Sequence, residues 1–261
     1  VINRIHKVDC VEGMRMLDAK SIDLTVTSPP YDDLRNYNGY SFDFESVAKE
    51  LYRVTKDGGV VVWVVGDKTE KGSETGTSFR QALYFKEVGF NLHDTMIYAK
   101  RGGLRPNPKI PRFSPCFEYM FVLSKGKPKS FCDVHKREEC KTAGVKVHAK
   151  QRQVDGSMKK LTAFGDVKKS DRRADNIWFY NIGFNSSTKD KVAFEHPAIF
   201  PEKLAEDHIL SWSSEGDIVL DPFMGSGTTA KMAHINDRKY IGFEISEEYI
   251  NIANKRLEES A

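Results

Sequence analysis

Two short segments of this 261-residue sequence carry residue types that could do chemistry together. The first is Thr27-Ser28-Pro29-Pro30-Tyr31. Consecutive prolines stiffen the backbone and remove two N–H donors, which leaves carbonyl oxygens without competing neighbours. A rigid carbonyl beside the Ser28 hydroxyl offers two acceptors, which suits an amino group with two N–H bonds to give. Tyr31 adds a flat ring on which a base can stack. Without a ligand, the same residues make a proline-stiffened turn.

The second segment is Asp221-Pro222-Phe223-Met224-Gly225-Ser226-Gly227-Thr228-Thr229. Residues 218–221 read as a strand and residues 228–234 as a helix. Glycines between a strand and a helix let the backbone turn sharply and approach a ligand closely. About twenty residues further on, a second strand over 239–244 ends in an acid, Glu244. A carboxylate there can accept both ribose hydroxyls of an adenosine, at ~1.5–3 kcal/mol per bond. Turn plus acid therefore read as a nucleoside-cofactor site. A P-loop would need a lysine after its last glycine, and Gly227 is followed by Thr228. A dinucleotide fingerprint would need a third glycine, and Gly225-Ser226-Gly227 runs into Thr-Thr-Ala. Taken alone, a bare glycine turn stays open as an alternative.

Periodicity says which elements must hold these segments. Residues 5–9 read as a strand and 10–17 as a short helix. A strand over 22–27 must stop at the double proline, which cannot pair in a central ladder. Residues 44–54 have helical periodicity, and Asp57-Gly58-Gly59 reads as a turn. The β-branched run 60–65 marks a strand buried on both faces. A helix over 78–88, strands over 92–99 and 119–123, a helix over 201–213 and a closing helix over 247–257 complete the pattern. Strands alternating with helices predict an α/β fold with a doubly wound, mostly parallel sheet.

Between these parts lies a stretch of different character. From Lys125 to Arg173 the chain holds fifteen Lys/Arg against six acids, few large aliphatics and no sustained period. It is too long for an ordinary loop and reads as an insertion or small subdomain. The expected division is residues 1–123, an insertion over 124–174, and residues 175–261. Lys159, Lys160, Lys168, Lys169, Arg172 and Arg173 cannot be core, so they are either solvated surface or phosphate contacts. The net charge of the whole chain, +3, decides nothing. Its 39% hydrophobic content excludes wholesale disorder. The four cysteines form no CxxC pair, which speaks against a zinc site or a disulfide framework. No apolar run reaches the ~18 residues of a membrane span, so a soluble cytoplasmic protein is expected.

Together the two segments resemble the amino-methyltransferases of DNA, restriction-modification methylases whose catalytic motif is (Asp/Asn/Ser)-Pro-Pro-(Tyr/Phe) and whose cofactor motif is Asp-Pro-Phe-x-Gly-Ser-Gly-Thr-Thr. The catalytic motif comes first in this chain, an order similar to the permuted β class of that family. Asp9-Cys10 resembles the cofactor-adenine motif. Residues 196–201 resemble the helix that packs over the methionine part of the cofactor. The resemblance covers about residues 3–125 and 175–257, and the basic middle lies where the family has its target-recognition region.

The resemblance implies a Rossmann-like, circularly permuted methyltransferase fold that uses S-adenosyl-L-methionine, with no metal. It implies catalytic Ser28, Pro29, Pro30 and Tyr31. It implies cofactor contacts from Asp9, Cys10, Phe200, Asp221, Phe223, Gly225, Ser226, Gly227, Thr228 and Glu244. Double-stranded DNA is the implied partner, its target base flipped out of the helix. A cognate restriction endonuclease and a homodimer are further partners that the resemblance admits. Serine at the first catalytic position is typical of cytosine-N4 members, and aspartate of adenine-N6 members. Cytosine is favoured, adenine-N6 is the alternative, and a catalytically silent DNA-binding protein is the rival of a different class. Methylation of protein glutamine or of RNA is disfavoured by the motif order. Pro115-Cys116 resembles the nucleophile of ring-carbon methyltransferases but stands in the wrong order, so Cys116 is expected to be a small buried residue.

Overall fold

The computed structural model describes residues 1–30, 43–102, 111–135, 150–160, 174–183, 186–196 and 199–260. In chain order the elements are β1 (Arg4–Lys7), α1 (Cys10–Arg15), β2 (Ile22–Thr27), α2 (Phe44–Val54), β3 (Thr55–Val65), β4 (Thr69–Glu70), β5 (Ser73–Glu74), α3 (Thr77–Val88), β6 (Asn91–Arg101) and β7 (Phe117–Ser124). They continue with β8 (Lys150–Arg152), β9 (Met158–Lys160), β10 (Ile177–Asn181), a 3-10 turn (Lys191–Glu195), α4 (Glu202–Trp212), β11 (Ile218–Asp221), α5 (Thr228–Ile235), β12 (Lys239–Glu244) and α6 (Glu247–Glu258).

Eight strands form one sheet in the order β1-β12-β11-β2-β3-β7-β6-β10. Its five strands from β1 to β3 pair in parallel, and β7 runs against both its neighbours. All six residues of β2 are buried, as expected of a strand with neighbours and helices on every side. In β3 the pleat sends Val61, Trp63 and Val65 to one face and Val60, Val62 and Val64 to the other. The first face is covered by α1 and α2 through Met14, Val47 and Leu51, and by α3 through Phe85. The second is covered by α4 and α5 through Leu204, Ile209, Met232 and Ala233. Helices on both faces of a mostly parallel sheet make the doubly wound architecture that the alternating pattern predicts.

Asp57-Gly58-Gly59 departs from the expected turn. It lies inside β3 as a bulge, where the pairing with β2 jumps from Ile22↔Thr55 to Leu24↔Val60. Gly58 takes φ +81, a backbone that glycine adopts without strain. The freed groups bond to the chain after β7: Gly58 N–H donates to the Lys125 carbonyl (2.6 Å), and Lys125 and Lys129 N–H donate back to Gly59 and Gly58.

The chain separates into two units, residues 1–132 with 176–261, and Asp133–Asp175. The second unit starts later than the composition shift at Ser124, because residues 125–132 hydrogen-bond to the sheet unit through Gly58, Gly59 and Ser211. The second unit contains a hairpin, with Lys150 opposite Lys160, Gln151 opposite Lys159 and Arg152 opposite Met158. No described helix is long and apolar enough to cross a membrane.

Candidate active site

The parallel strands β1, β12, β11 and β2 all end at one edge of the sheet. β11 stands between β12 and β2, and the chain leaves it in one direction while β2 leads to β3 in the other. Such a switch point opens a crevice at the carboxyl ends of the strands. Both chemistry-bearing segments emerge there, from adjacent strands. They are tied together: the Thr27 hydroxyl donates to Asp221 Oδ1 at 2.6 Å, and the Thr229 hydroxyl donates to the Val26 carbonyl at 3.0 Å.

The glycine turn is built from its backbone. Gly225 and Gly227 take φ +51 and +79, the region that disfavours any side chain. A Cβ on Gly225 would stand 2.9 Å from His196 Nε2, and one on Gly227 would stand 2.6 Å from Ala253 Cβ. Gly225 N–H donates to Glu244 Oε2 at 2.9 Å, and Gly227 N–H donates to the Met224 carbonyl at 2.9 Å. Glu244 Oε1 also accepts from the Ile245 and Ser246 N–H groups, each at 2.9 Å. Glu244 thus clamps the turn from the next strand. On β1, whose Lys7 stands opposite Glu244, the chain continues to Asp9. Asp9 caps α1, accepting from Val11 N–H at 2.8 Å and Glu12 N–H at 3.3 Å, and Cys10 is buried beneath it.

Asp221 is buried, and its Oδ1 also accepts from Phe223 N–H at 3.0 Å. Burial pushes its carboxyl up to about 6, against the Thr27 and Thr229 hydroxyls and the Phe223 N–H, and the charge of Glu244 adds to the rise. Phe223 is half-buried, edge-on to Trp63 at 6.2 Å, and Phe200 is half-buried against the core under α4. The Ser226 and Thr228 hydroxyls each lie 3.2 Å from Arg256 Nη1, behind the turn.

A DNA methylase family model matches residues 22–255, which span both segments and everything between them. The chain belongs to the N6/N4 DNA methylase family. This methylase is 65% identical over 239 residues to the orphan methyltransferase M.BamHII of Bacillus amyloliquefaciens, covering 91% of this chain and 89% of that one. It is 28% identical over 271 residues to the type II methyltransferase M.BglII of Bacillus subtilis, covering 98% and 69%. Among solved structures it matches the cytosine-N4-specific PvuII DNA methyltransferase with a TM-score of 0.70 at 23% identity, covering 97% and 85%. It matches a DNA modification methylase of Thermus thermophilus, in complex with S-adenosyl-L-methionine, with a TM-score of 0.63 at 25% identity, covering 98% and 95%. The methylase is a DNA amino-methyltransferase that uses S-adenosylmethionine.

The donor set of the methylase fits that cofactor. Two carboxylates, Asp9 just beyond β1 and Glu244 at the end of β12, stand on neighbouring strands, and residues 221–229 hold no lysine or arginine. Such a set suits hydroxyl donors and a cationic sulfonium, and it does not suit phosphates. Ser28 is half-buried, Pro29 buried and Pro30 half-buried at the end of β2. Tyr31 lies outside the described residues, as do Lys168, Lys169, Arg172 and Arg173. Lys159 is exposed on β9, and Lys160 ends that strand. Of the residues resembling the methionine-side segment, His196 is buried edge-on to Tyr249 at 4.2 Å, and Pro197 and Ala198 lie outside the described residues. Cys116 is exposed just before β7, not buried as expected, because it lies in the irregular approach to that strand, ahead of the buried residues Met120–Ser124.

Sequence reading missed the group behind the turn. Arg256 is fully buried, and with Lys231 it pairs to Asp190 and Glu202. The signal was present in α6, where Arg256 falls three residues after Ala253 on the stripe that also holds Ile250 and Leu257.

Proposed function

We propose that this chain is a cytosine-N4 DNA methyltransferase. The observation that carries the reading is the hydrogen-bonded junction of the two motifs, in which Thr27 and Asp221 hold the Ser28-Pro29-Pro30 loop beside the glycine turn. The choice of base rests on serine at the first catalytic position, through its resemblance to the cytosine-N4 members. S-adenosylmethionine supplies the electrophilic methyl group. The glycine turn, Asp9, Cys10, Phe200, Phe223 and Glu244 hold that cofactor, and Asp221, Ser226 and Thr228 shape the turn from within.

The chain prepares the nucleophile. An amino nitrogen on a base is weak because its lone pair is conjugated into the ring. The Ser28 hydroxyl and the Pro29 carbonyl accept its two N–H bonds and draw it toward tetrahedral geometry. Tyr31 stacks on the flipped base and returns ~1–3 kcal/mol of the unstacking cost. Positioning and electrostatics therefore carry the rate, with no covalent adduct to the protein. Lys159, Lys160, Lys168, Lys169, Arg172 and Arg173 neutralise DNA phosphates. The orphan designation of the 65% identical M.BamHII supports a methylase working without a cognate endonuclease.

Mass spectrometry of nucleosides from methylated DNA tests the assignment. The expected product is 4-methylcytosine. A 6-methyladenine peak would move the target to adenine. A 5-methylcytosine peak lost in Cys116→Ser would overturn the mechanism. Ser28→Ala is expected to slow transfer by ~10²–10³ while S-adenosylmethionine affinity stays unchanged, since the bond matters only as the nitrogen reacts.

A further inference from the structure

We propose that Arg256 is a positioning residue for the cofactor turn, setting its shape from behind without touching cofactor. This rests on the reading of the turn as the S-adenosylmethionine site. Arg256 Nη1 donates to the Ser226 carbonyl at 2.6 Å and lies 3.2 Å from both the Ser226 and Thr228 hydroxyls. Its Nε donates to Asp190 Oδ2 at 3.0 Å and its Nη2 to Glu202 Oε1 at 2.8 Å. One planar fork thus joins α6, the turn, and the start and end of the stretch 190–202. That stretch also carries His196, whose Nε2 would stand 2.9 Å from a Cβ on Gly225.

A turn with glycines at 225 and 227 cannot hold itself. Each glycine loses more backbone freedom on ordering than any other residue. Binding weakens when the ligand must order the turn, and strengthens when the protein has already ordered it. A net field at the turn is a poor account of Arg256, because Lys231 and Arg256 against Asp190 and Glu202 sum to zero charge. What distinguishes the two cations is reach. Among the described residues Lys231 bonds only the two carboxylates, at 2.7 and 2.8 Å, whereas Arg256 bonds the same carboxylates and the turn.

The test compares Arg256→Lys and Lys231→Gln in the full chain. Arg256→Lys keeps the charge but loses the fork that spans turn and carboxylates. Calorimetric titration with S-adenosylmethionine should show affinity falling about tenfold or more in Arg256→Lys, a loss of ~1.4 kcal/mol at tenfold. Turnover at saturating cofactor should return to within about threefold of wild type, because a positioning defect is a binding defect. Lys231→Gln should lower the melting temperature at least as much as Arg256→Lys, yet keep affinity within about twofold. Gly225→Val should abolish binding. Wild-type affinity in Arg256→Lys, or affinity falling in step with melting temperature in both variants, overturns the role of Arg256. Wild-type affinity in Gly225→Val overturns the cofactor reading of the turn, and the inference with it.

Discussion

At the scale of single residues, Glu244 shows what a motif conveys and what it withholds. Its place at the end of a strand after a glycine turn marks an acid for ribose hydroxyls. Its three bonds from the Gly225, Ile245 and Ser246 N–H groups are invisible in the sequence. A carboxylate has about four acceptor sites, so Glu244 has room for about one further hydroxyl while it keeps the turn in shape. Glutamine is therefore a poor substitute, since its amino group would face an N–H that needs an acceptor. Glu244→Gln and Glu244→Ala are both expected to weaken S-adenosylmethionine binding by ~2–3 kcal/mol. Glu244→Gln with wild-type affinity in calorimetry would show that the turn does not need the clamp. The same limit applies to Asp221, Ser226 and Thr228. The motif names them, but their side chains face into the protein, toward Thr27 and Arg256. A motif fixes residue types in order and leaves open the direction in which each points. Arg256 is easily passed over for a related reason: a charge on an amphipathic helix ordinarily reads as its wet face, even where it falls on the apolar stripe.

At the scale of elements, legibility followed burial. β2, α2, β11 and β12 stand where periodicity puts them, because each has an unbroken apolar pattern and a sharp stop. Asp57-Gly58-Gly59 did not, because a bulge and a reversal use the same residues and differ only in what accepts their hydrogen bonds. Periodicity assigns no element at β10, although Trp178 and Tyr180 alternate inward with Ile177, Phe179 and Asn181 outward. Five residues are too few for the alternation to stand out. α1 raises a question that only an element can answer, since Asp9 caps its N-terminus and is also read as a cofactor contact. Asparagine caps as well as aspartate, whereas alanine costs about 1 kcal/mol. Asp9→Asn should therefore melt like wild type and bind S-adenosylmethionine more weakly, while Asp9→Ala should lose both stability and affinity. If Asp9→Asn binds as wild type while Asp9→Ala loses stability, Asp9 is a cap alone.

At the scale of the whole molecule, a half-buried carboxylate and a buried one, Asp190 and Asp221, set opposite limits on stability against pH. Asp190 is subject to burial, which pushes its carboxyl up, but the Lys231 and Arg256 hydrogen bonds and charges outweigh this and leave it depressed. A depressed carboxylate contributes stability above its unfolded value of about 3.9, and that stability is lost as pH falls through the folded value. Asp221 behaves in the reverse sense, because burial raises it to about 6. Its contribution is complete below about 3.9 and is lost as pH rises through the folded value, where a buried charge must be held. A rise of about two units corresponds to roughly 2–3 kcal/mol, and ~1 kcal/mol moves a melting temperature by ~2–4 °C in a domain of this size. Between about pH 4 and 7 the wild type should thus lose melting temperature relative to Asp221→Asn. The variant keeps an oxygen for the Thr27 hydroxyl and the Phe223 N–H, so the junction of the two motifs should survive. Other groups that titrate in this range are shared by both proteins and cancel in the difference. Thermal unfolding at half-unit pH steps measures that difference directly. Two curves that stay parallel from pH 4 to 7 would mean that Asp221 does not change its proton in that window, and that Thr27 and Asp221 are joined in a single charge state throughout.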